Sequence, residues 1–363
     1  MGVQILTTPV LEVNLEKIAH NAKHVKNICE KNNIELCVVT KGFCAVIPVV
    51  KALISSGITF LADSRIQNII KVKKKFPYVK YMMIRIPKIS EALDIVRYVD
   101  ISLQSQIEVI EAYSNKAQSL GKKHDIILMI DVGDLREGVM PEDAISTAQK
   151  ILSMKGIRLV GIGTNVGCYG SIMPTVENTK MLVEIKKEIE SKFGISMKYI
   201  SGGSTCTTKL LREGNLPKEI NNLRIGEGVI LGEDSTNGVF IDGLYNDAFL
   251  LKAEVVELKD KPSVPIGESG YDAFGCKQTF LDKGIRKRAI LSVGRQDVRI
   301  EALTPVLDGV EILGGSSDHM ILDVTDCKEK ITPGSIIPFR CGYSAVLTLS
   351  TSPYVSKKYK VSL

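Results

Sequence analysis

Between about residues 35 and 230, short apolar β-branched runs alternate with amphipathic stretches. The runs ELCVVT, ITFLADS, VKYMMIRI, VDISLQS, DIILMIDV, IRLVGIGT, MKYISG and NLRIGEG predict eight strands buried on both faces. Between them Pro48–Ser55, Ile66–Lys75, Ser90–Tyr98, Gln106–Leu120, Pro141–Ser153 and Pro174–Phe193 predict helices, several opened by the Pro or Ser that helix starts favour. Strand starts recur about every 20–40 residues, the period of a (β/α)8 barrel of roughly 200 residues.

Ahead of that rhythm PVLEV predicts a strand. Asn14 then caps a helix whose apolar stripe is Leu15, Ile18, Ala22, Val25 and Ile28. His20 and His24 share a face of this helix but lack the third ligand a metal would need. After about residue 240 the texture changes to FLLKAEVVELKD, RAILSVG, GVEILGG, HMILDVTD, GSIIPFRCG and AVLTLSTSPYV, broken by Gly, Pro and Asp, which predicts a β domain. The expected fold is therefore α/β: a (β/α)8 barrel (13–240) and a mostly-β C-terminal domain (241–363) that also takes in the N-terminal strand (1–12).

A chain of 363 residues, 44% hydrophobic and 24% charged, is long enough to bury a large core, which excludes wholesale disorder. Its net charge of +6 is spread among interspersed acids rather than gathered in basic blocks. That balance gives little pull towards an anionic partner, and a phosphorylated small molecule satisfies it as well as nucleic acid does. Eight scattered cysteines without a C-x-x-C pair read as reduced thiols of a cytoplasmic protein. The N-terminus lacks the basic segment and apolar run of a secretion signal, and no run of about 18 apolar residues predicts a membrane span.

In a barrel of this kind reacting groups sit at the carboxyl ends of strands. Lys41 ends the first strand, where apolar neighbours would desolvate its ammonium and lower its pKa towards a nucleophilic or basic amine. Two glycine-bearing turns follow the seventh and eighth strands: SGGST (Ser201–Thr205) and RIGEG (Arg224–Gly228). Glycines there let backbone N–H groups approach a phosphate, and Ser204 adds a hydroxyl. A lysine across the mouth from a phosphate site points to a phosphate-bearing cofactor held as a Schiff base.

These stretches, with PVLEVNLEKIAHN, IDVGDLREG, GRQDV and SSDHMILDV, make the chain resemble the alanine racemase family of pyridoxal 5'-phosphate (PLP) enzymes, and within it an ornithine racemase-like branch, over nearly its whole length. The resemblance implies that Lys41 holds PLP and acts as one catalytic base. It implies that Ser204 and the Gly226–Glu227 backbone take the phosphate, that Thr205 and Tyr354 also bind the cofactor, that Arg224 faces the ring nitrogen, and that Arg136 lies beside the phenolic oxygen and substrate carboxylate. Asp134 or Glu137 could instead pair with Arg136. Asn165 falls where the family has a histidine over the ring. An arginine stays protonated, so a ring nitrogen facing it must accept a hydrogen bond, which weakens the ring as an electron sink and favours return of the proton to Cα.

Racemisation also needs a proton donor on the opposite face. The family supplies a tyrosine from the partner subunit in V-G-Y-A-D-G; here the segment reads VGRQDV, with Arg295 in the tyrosine's place. Arginine is no general base at neutral pH. Candidates are Tyr343, ranked first, then Cys341, Asp318 and Tyr271. Arg295, Asp297 and Asp318 lie where the family approaches the partner's site, and the two acids suit a cationic side chain such as that of ornithine or lysine. The expectation is a cytoplasmic, homodimeric amino-acid racemase with shared sites, no metal and no nucleic-acid or membrane partner. The alternatives are a racemase of lysine or another basic amino acid, a PLP-dependent lyase of the D-threonine aldolase or D-serine dehydratase type, and a non-catalytic PLP carrier.

Overall fold

A computed structural model describes residues 8–277 and 279–361; the first seven residues of the expected N-terminal strand lie outside them. The described residues divide into two compact units, Lys17–Tyr245 and a second made of those before and after it. Tyr245 belongs with the first because Asn21 grips it twice, accepting from its N–H at 2.8 Å and donating to its carbonyl at 2.8 Å.

The first unit is a closed parallel barrel. Its strands are β2 (Glu35–Val39), β3 (Phe60–Asp63), β4 (Lys80–Met83), β5 (Ile101–Gln104), β6 (His124–Met129), β7 (Ile157–Gly163), β8 (Tyr199–Ser201) and β9 (Asn222–Ile225). All eight fall on the expected runs. Alternate side chains, among them Cys37, Val39, Phe60, Ala62, Met82, Ile101, Leu103, Ile127 and Met129, fill the interior, so the barrel is a packed core with chemistry confined to its ends. The parallel β2–β9 register, Cys37 beside Arg224, closes the ring.

The helices are α1 (Leu15–Lys31), α2 (Ile47–Ser55), α3 (Ile66–Lys73), α4 (Ala92–Tyr98), α5 (Ile107–Ser119), α6 (Ala144–Leu152), α7 (Val176–Phe193), α8 (Thr208–Arg212) and α9 (Glu227–Leu231). Asn14 Oδ1 accepts the Glu16 N–H at 3.1 Å, as a cap should. Thr175 and Asn178 form a reciprocal capping box at the start of α7, which ends at Gly194 in the left-handed region. None of these helices, nor any other among the described residues, is long and apolar enough to cross a membrane. A short hairpin, β10 (Glu233–Asp234) and β11 (Val239–Phe240), follows α9.

In the second unit the strands are β1 (Val10–Asn14), β12 (Phe249–Pro262), β13 (Ile285–Leu291), β14 (Leu303–Pro305), β15 (Glu311–Gly315), β16 (Met320–Asp323), β17 (Ile336–Cys341) and β18 (Ser356–Lys360). The path runs β14-β17-β12-β13-β16-β15, with β1 antiparallel to β12 and parallel to β18. Along β12 the buried residues Phe249, Leu251, Ala253 and Val255 alternate with more exposed ones, the period of a sheet with one covered face.

One element departs from expectation. AVLTLSTSPYV, read as a strand, lies mostly in a helix, α10 (Tyr343–Thr351), and only afterwards does the chain enter β18. Ala345, Val346 and Leu349 are buried on one helical face. Thr348 and Thr351 turn their hydroxyls back to the carbonyls of Ser344 and Leu347, at 3.1 and 3.2 Å, so tertiary burial and local bonding outweigh their β-branched preference.

Candidate active site

The carboxyl ends of the barrel strands bring together Lys41, Arg136, Asn165, Ser204, Thr205, Arg224, Gly226 and Glu227. Lys41 begins a short 3-10 turn directly after β2. Thr40 anchors that turn to β3: its N–H and Oγ–H reach the Ala62 carbonyl at 2.8 and 3.1 Å, and Oγ–H also donates to Asp63 Oδ2 at 2.6 Å. Cys44 and Ala45 follow with φ of 52° and 45°, a left-handed pair of non-glycine residues that costs about 1–3 kcal/mol each. The surroundings therefore dictate where the lysine stands. Burial lowers the Lys41 pKa; among nearby groups Cys168 works against that shift and Arg136 with it. Removing the ammonium from water favours the neutral amine, the form that is nucleophilic and basic.

Arg224 is buried in the barrel. One guanidinium arm donates to Ser201 Oγ; the other reaches the Thr164 carbonyl at 2.6 Å and Asn165 Oδ1 at 3.4 Å. Ser201 in turn donates to Asn222 Oδ1 at 2.5 Å, and Asn222 Nδ2 to the Glu35 carbonyl at 2.9 Å. Burial pushes the guanidinium down to about 10, and among the described residues no carboxylate forms an ion pair with it. It remains a cation at neutral pH, held by neutral acceptors.

Arg136 pairs with its neighbour Glu137, and its Nη1–H donates to Cys168 Sγ at 2.7 Å. Burial opposes its charge, but the Glu137 carboxylate prevails and raises its pKa. Of the two acids that sequence left open as its partner, Glu137 is the one. Asp134 instead accepts backbone N–H groups of Cys168, Tyr169 and Ile172 at 3.1–3.4 Å, tying the loop after β7 to the loop after β6. Gly138 makes that loop possible: its φ is +135°, and a Cβ there would stand 2.5 Å from the Asp131 nitrogen.

The two glycine turns lie side by side. Gly203, with φ +115°, turns the chain into Ser204, which precedes the 3-10 turn Thr205–Thr207. Thr205 Oγ1 accepts the Gly228 N–H at 3.2 Å and so joins this turn to α9, whose N-cap is Gly226. Glu227 is largely buried; Oε2 accepts the N–H and Oγ–H of Ser235 at 3.2 and 3.0 Å, while Oε1 has no partner among the described residues. Burial pushes this carboxyl up to about 7.

The remaining candidates belong to the second unit. Arg295 donates to the Gly315 carbonyl at 3.1 Å and to Glu301 at 2.5 Å, and lies 5.3 Å from the centre of the Phe274 ring. Asp297 is turned inward and accepts the Ser352 hydroxyl at 2.6 Å. Asp318 and Tyr354 are exposed, as is Tyr271. Tyr343 is half-buried at the first position of α10. Cys341 is buried, its thiol pushed up to about 12 by burial, which leaves it no means of exchanging protons near neutrality.

Sequence reasoning missed the Thr40–Asp63 anchor, the Ser201–Asn222 relay and Cys168 beside Arg136. The signal available for Thr40, Asp63 and Ser201 was a polar residue at or just beyond the end of an apolar strand; Asn222, which begins β9, and Cys168, in the loop after β7, carried none.

The alanine racemase N-terminal domain family matches residues 13–233. Over 351 residues the chain is 43% identical to the ornithine racemase of Acetoanaerobium sticklandii, covering 96% of this chain and 99% of that one. It is 42% identical to the lysine racemase of Thermotoga maritima, covering 98% and 99%. Among solved structures, the alanine racemase of Clostridium difficile 630 aligns with a TM-score of 0.74 at 19% identity, over 98% of this chain and 96% of that chain. The D-threonine aldolase of Filomicrobium marinum aligns at 0.72 and 14%, over 95% and 89%. At such identities the structural likeness speaks for the fold, whereas the family match and the two full-length relatives establish kinship: the chain belongs to the alanine racemase family.

Proposed function

We propose that the protein is a pyridoxal phosphate-dependent racemase of a basic amino acid, with ornithine as first substrate and lysine as second. The observation that carries this reading is the pairing, at one barrel mouth, of a desolvated lysine with a buried arginine that forms no ion pair with a carboxylate among the described residues. The residues present fit the cofactor. A buried guanidinium that forms no ion pair with a carboxylate among the described residues suits an acceptor-only ring nitrogen, and the turns led by Ser204 and Gly226 are helix starts, whose first N–H groups lack partners within their own helix.

In this reading Lys41 holds the aldehyde end, Ser204 with the Gly226–Glu227 backbone the phosphate, and Arg224 the ring nitrogen, with Asn165 beside it. Thr205 serves by joining the two turns. Bound there, the cofactor supplies a conjugated ring that accepts the electron pair left when Cα loses its proton. Arg224 keeps that acceptor weak, because it donates a hydrogen bond and yields no proton. Lys41 Nζ takes or returns the proton at Cα on one face. Arg136, fixed by Glu137, orients the substrate carboxylate. On the other face the acid/base falls to the C-terminal unit of a second copy, with Tyr343 the candidate and Tyr354 reaching the phosphate. Asp318, exposed and uncommitted to an inward bond, meets the distal ammonium, with Arg295 at the edge of the same region. The protein works as a homodimer in the cytoplasm, a location supported by its eight free cysteines.

The test is L-ornithine incubated in D2O with pyridoxal phosphate-loaded protein, followed by chiral chromatography and mass spectrometry. D-ornithine carrying one deuterium at Cα is expected, with a larger kcat/KM than for lysine. A lyase would release carbonyl or ammonia products without enantiomer exchange, and that result would overturn the reading.

A further inference from the structure

The β10–β11 hairpin is two residues long on each side, and Val239 and Phe240 in its second strand are 42% and 57% exposed. A hairpin this short is not stable alone and adds little to the core. Its tip, however, is rigid. Asp234 is fully buried and accepts the N–H and Nδ2–H of Asn237 at 3.2 and 2.7 Å, while Gly238 turns the chain at φ +65°.

Three consecutive tip residues each grip a different loop. Ser235 donates from N–H and Oγ–H to Glu227 Oε2, just after β9. Thr236 Oγ–H donates to the Gly167 carbonyl at 3.1 Å, in the loop after β7. Asn237 Nδ2–H donates to the Cys206 carbonyl at 3.3 Å, in the turn after β8. The fit is tight: a Cβ on Gly167 would come within 2.9 Å of Thr236 Cγ2 and 2.8 Å of Cys206 Sγ. The three gripped loops carry Asn165, Ser204 and Gly226–Glu227. Among the described residues, no bond from these three reaches the turn that bears Lys41 or the loop that bears Arg136.

We propose that Ser235, Thr236 and Asn237 form a positioning clasp that fixes the spacing of the two turns at the cofactor's phosphate, with the Gly167 carbonyl in the loop after β7 as its anchor. This rests on the reading above, in which those turns hold pyridoxal phosphate. The clasp acts on one end of the ligand only. Loosening it lets the N–H groups and the Ser204 hydroxyl drift apart, so affinity for the phosphate is lost while the aldehyde end, held from β2, is unaffected.

The experiment measures binding of pyridoxal phosphate and of pyridoxal, which lacks the phosphate, to full-length cofactor-free protein by absorbance titration. Wild type is compared with Thr236→Val/Asn237→Ala and with Thr236→Ser. Two hydrogen bonds of ordinary strength correspond to about a tenfold weakening, expected for pyridoxal phosphate alone. Pyridoxal binding stays unchanged, and Thr236→Ser, which keeps the hydroxyl, binds like wild type. Should the double variant fail to fold, Thr236→Val, nearly isosteric, carries the same comparison. Equal losses for both ligands would mean a merely structural role, and no loss for either would leave the clasp without function; each overturns the proposal. A wild type that does not prefer the phosphorylated form would instead remove the cofactor reading itself, and the clasp with it.

Discussion

At the barrel mouth the candidate residues answer to one another: Arg224 to Ser201, Thr164 and Asn165, Thr205 to Gly228, Arg136 to Cys168 and Glu137. In the C-terminal unit they answer to separate neighbours, Arg295 to Glu301 and Asp297 to Ser352, or lie exposed, as Asp318 and Tyr354 do. The first arrangement is a preorganised cradle, in which binding demands little rearrangement. In the second, these side chains form no bond to one another among the described residues. Under the proposed function, the cofactor half of the chemistry is written within a single barrel and the opposite-face half depends on assembly.

Four changes would break or sharpen that contrast. Lys41→Ala should abolish the cofactor's visible absorbance above 400 nm and lower turnover by at least about a thousandfold, since nucleophile and base go together; retention of both would remove the central assignment. Tyr343→Phe should leave cofactor binding intact while slowing inversion about a hundredfold. Exchange of the Cα hydrogen into D2O should persist for one enantiomer only, and unchanged kinetics would pass the role to another residue.

The Glu227 carboxyl, raised by burial from its ordinary range to about 7, gives a pH signature. The folded state binds the proton more tightly, so its stabilising effect is complete below about pH 4.5 and is lost as pH rises through about 7, a change on the order of 2 kcal/mol. Denaturant unfolding across that window should show the slope in wild type and its absence in Glu227→Gln. Smallest of the four, Asp297→Ala should lower unfolding stability by about 1 kcal/mol through the lost Ser352 bond. If it instead raised KM for ornithine with stability unchanged, Asp297 would be a substrate residue after all.

Much of this was legible in the chain. The eight barrel strands stand out because both faces are buried and the runs are continuously apolar, and Lys41 and Arg224 stand out because charged residues abut such runs. What was illegible depends on partners distant in sequence. The helix at Tyr343–Thr351 has a strand-like composition that only burial and back-bonded threonines override. The tip Ser235–Asn237 reads as an ordinary polar turn, since nothing local announces that its residues bond to Glu227, Gly167 and Cys206. Asp134 sits near enough in sequence to pair with Arg136, yet it caps backbone some 35 residues on.

At the amino end of the barrel, Lys80 lies 4.3 Å from the Phe60 ring centre and 4.6 Å from that of Tyr199, bonds to the Tyr199 hydroxyl and pairs with Glu35 at 3.9 Å. This stopper, beneath a floor of packed aliphatic side chains, makes the barrel a blind well. Access to Lys41 and the other groups at the carboxyl ends of the strands is therefore confined to the opposite side of the barrel from Lys80.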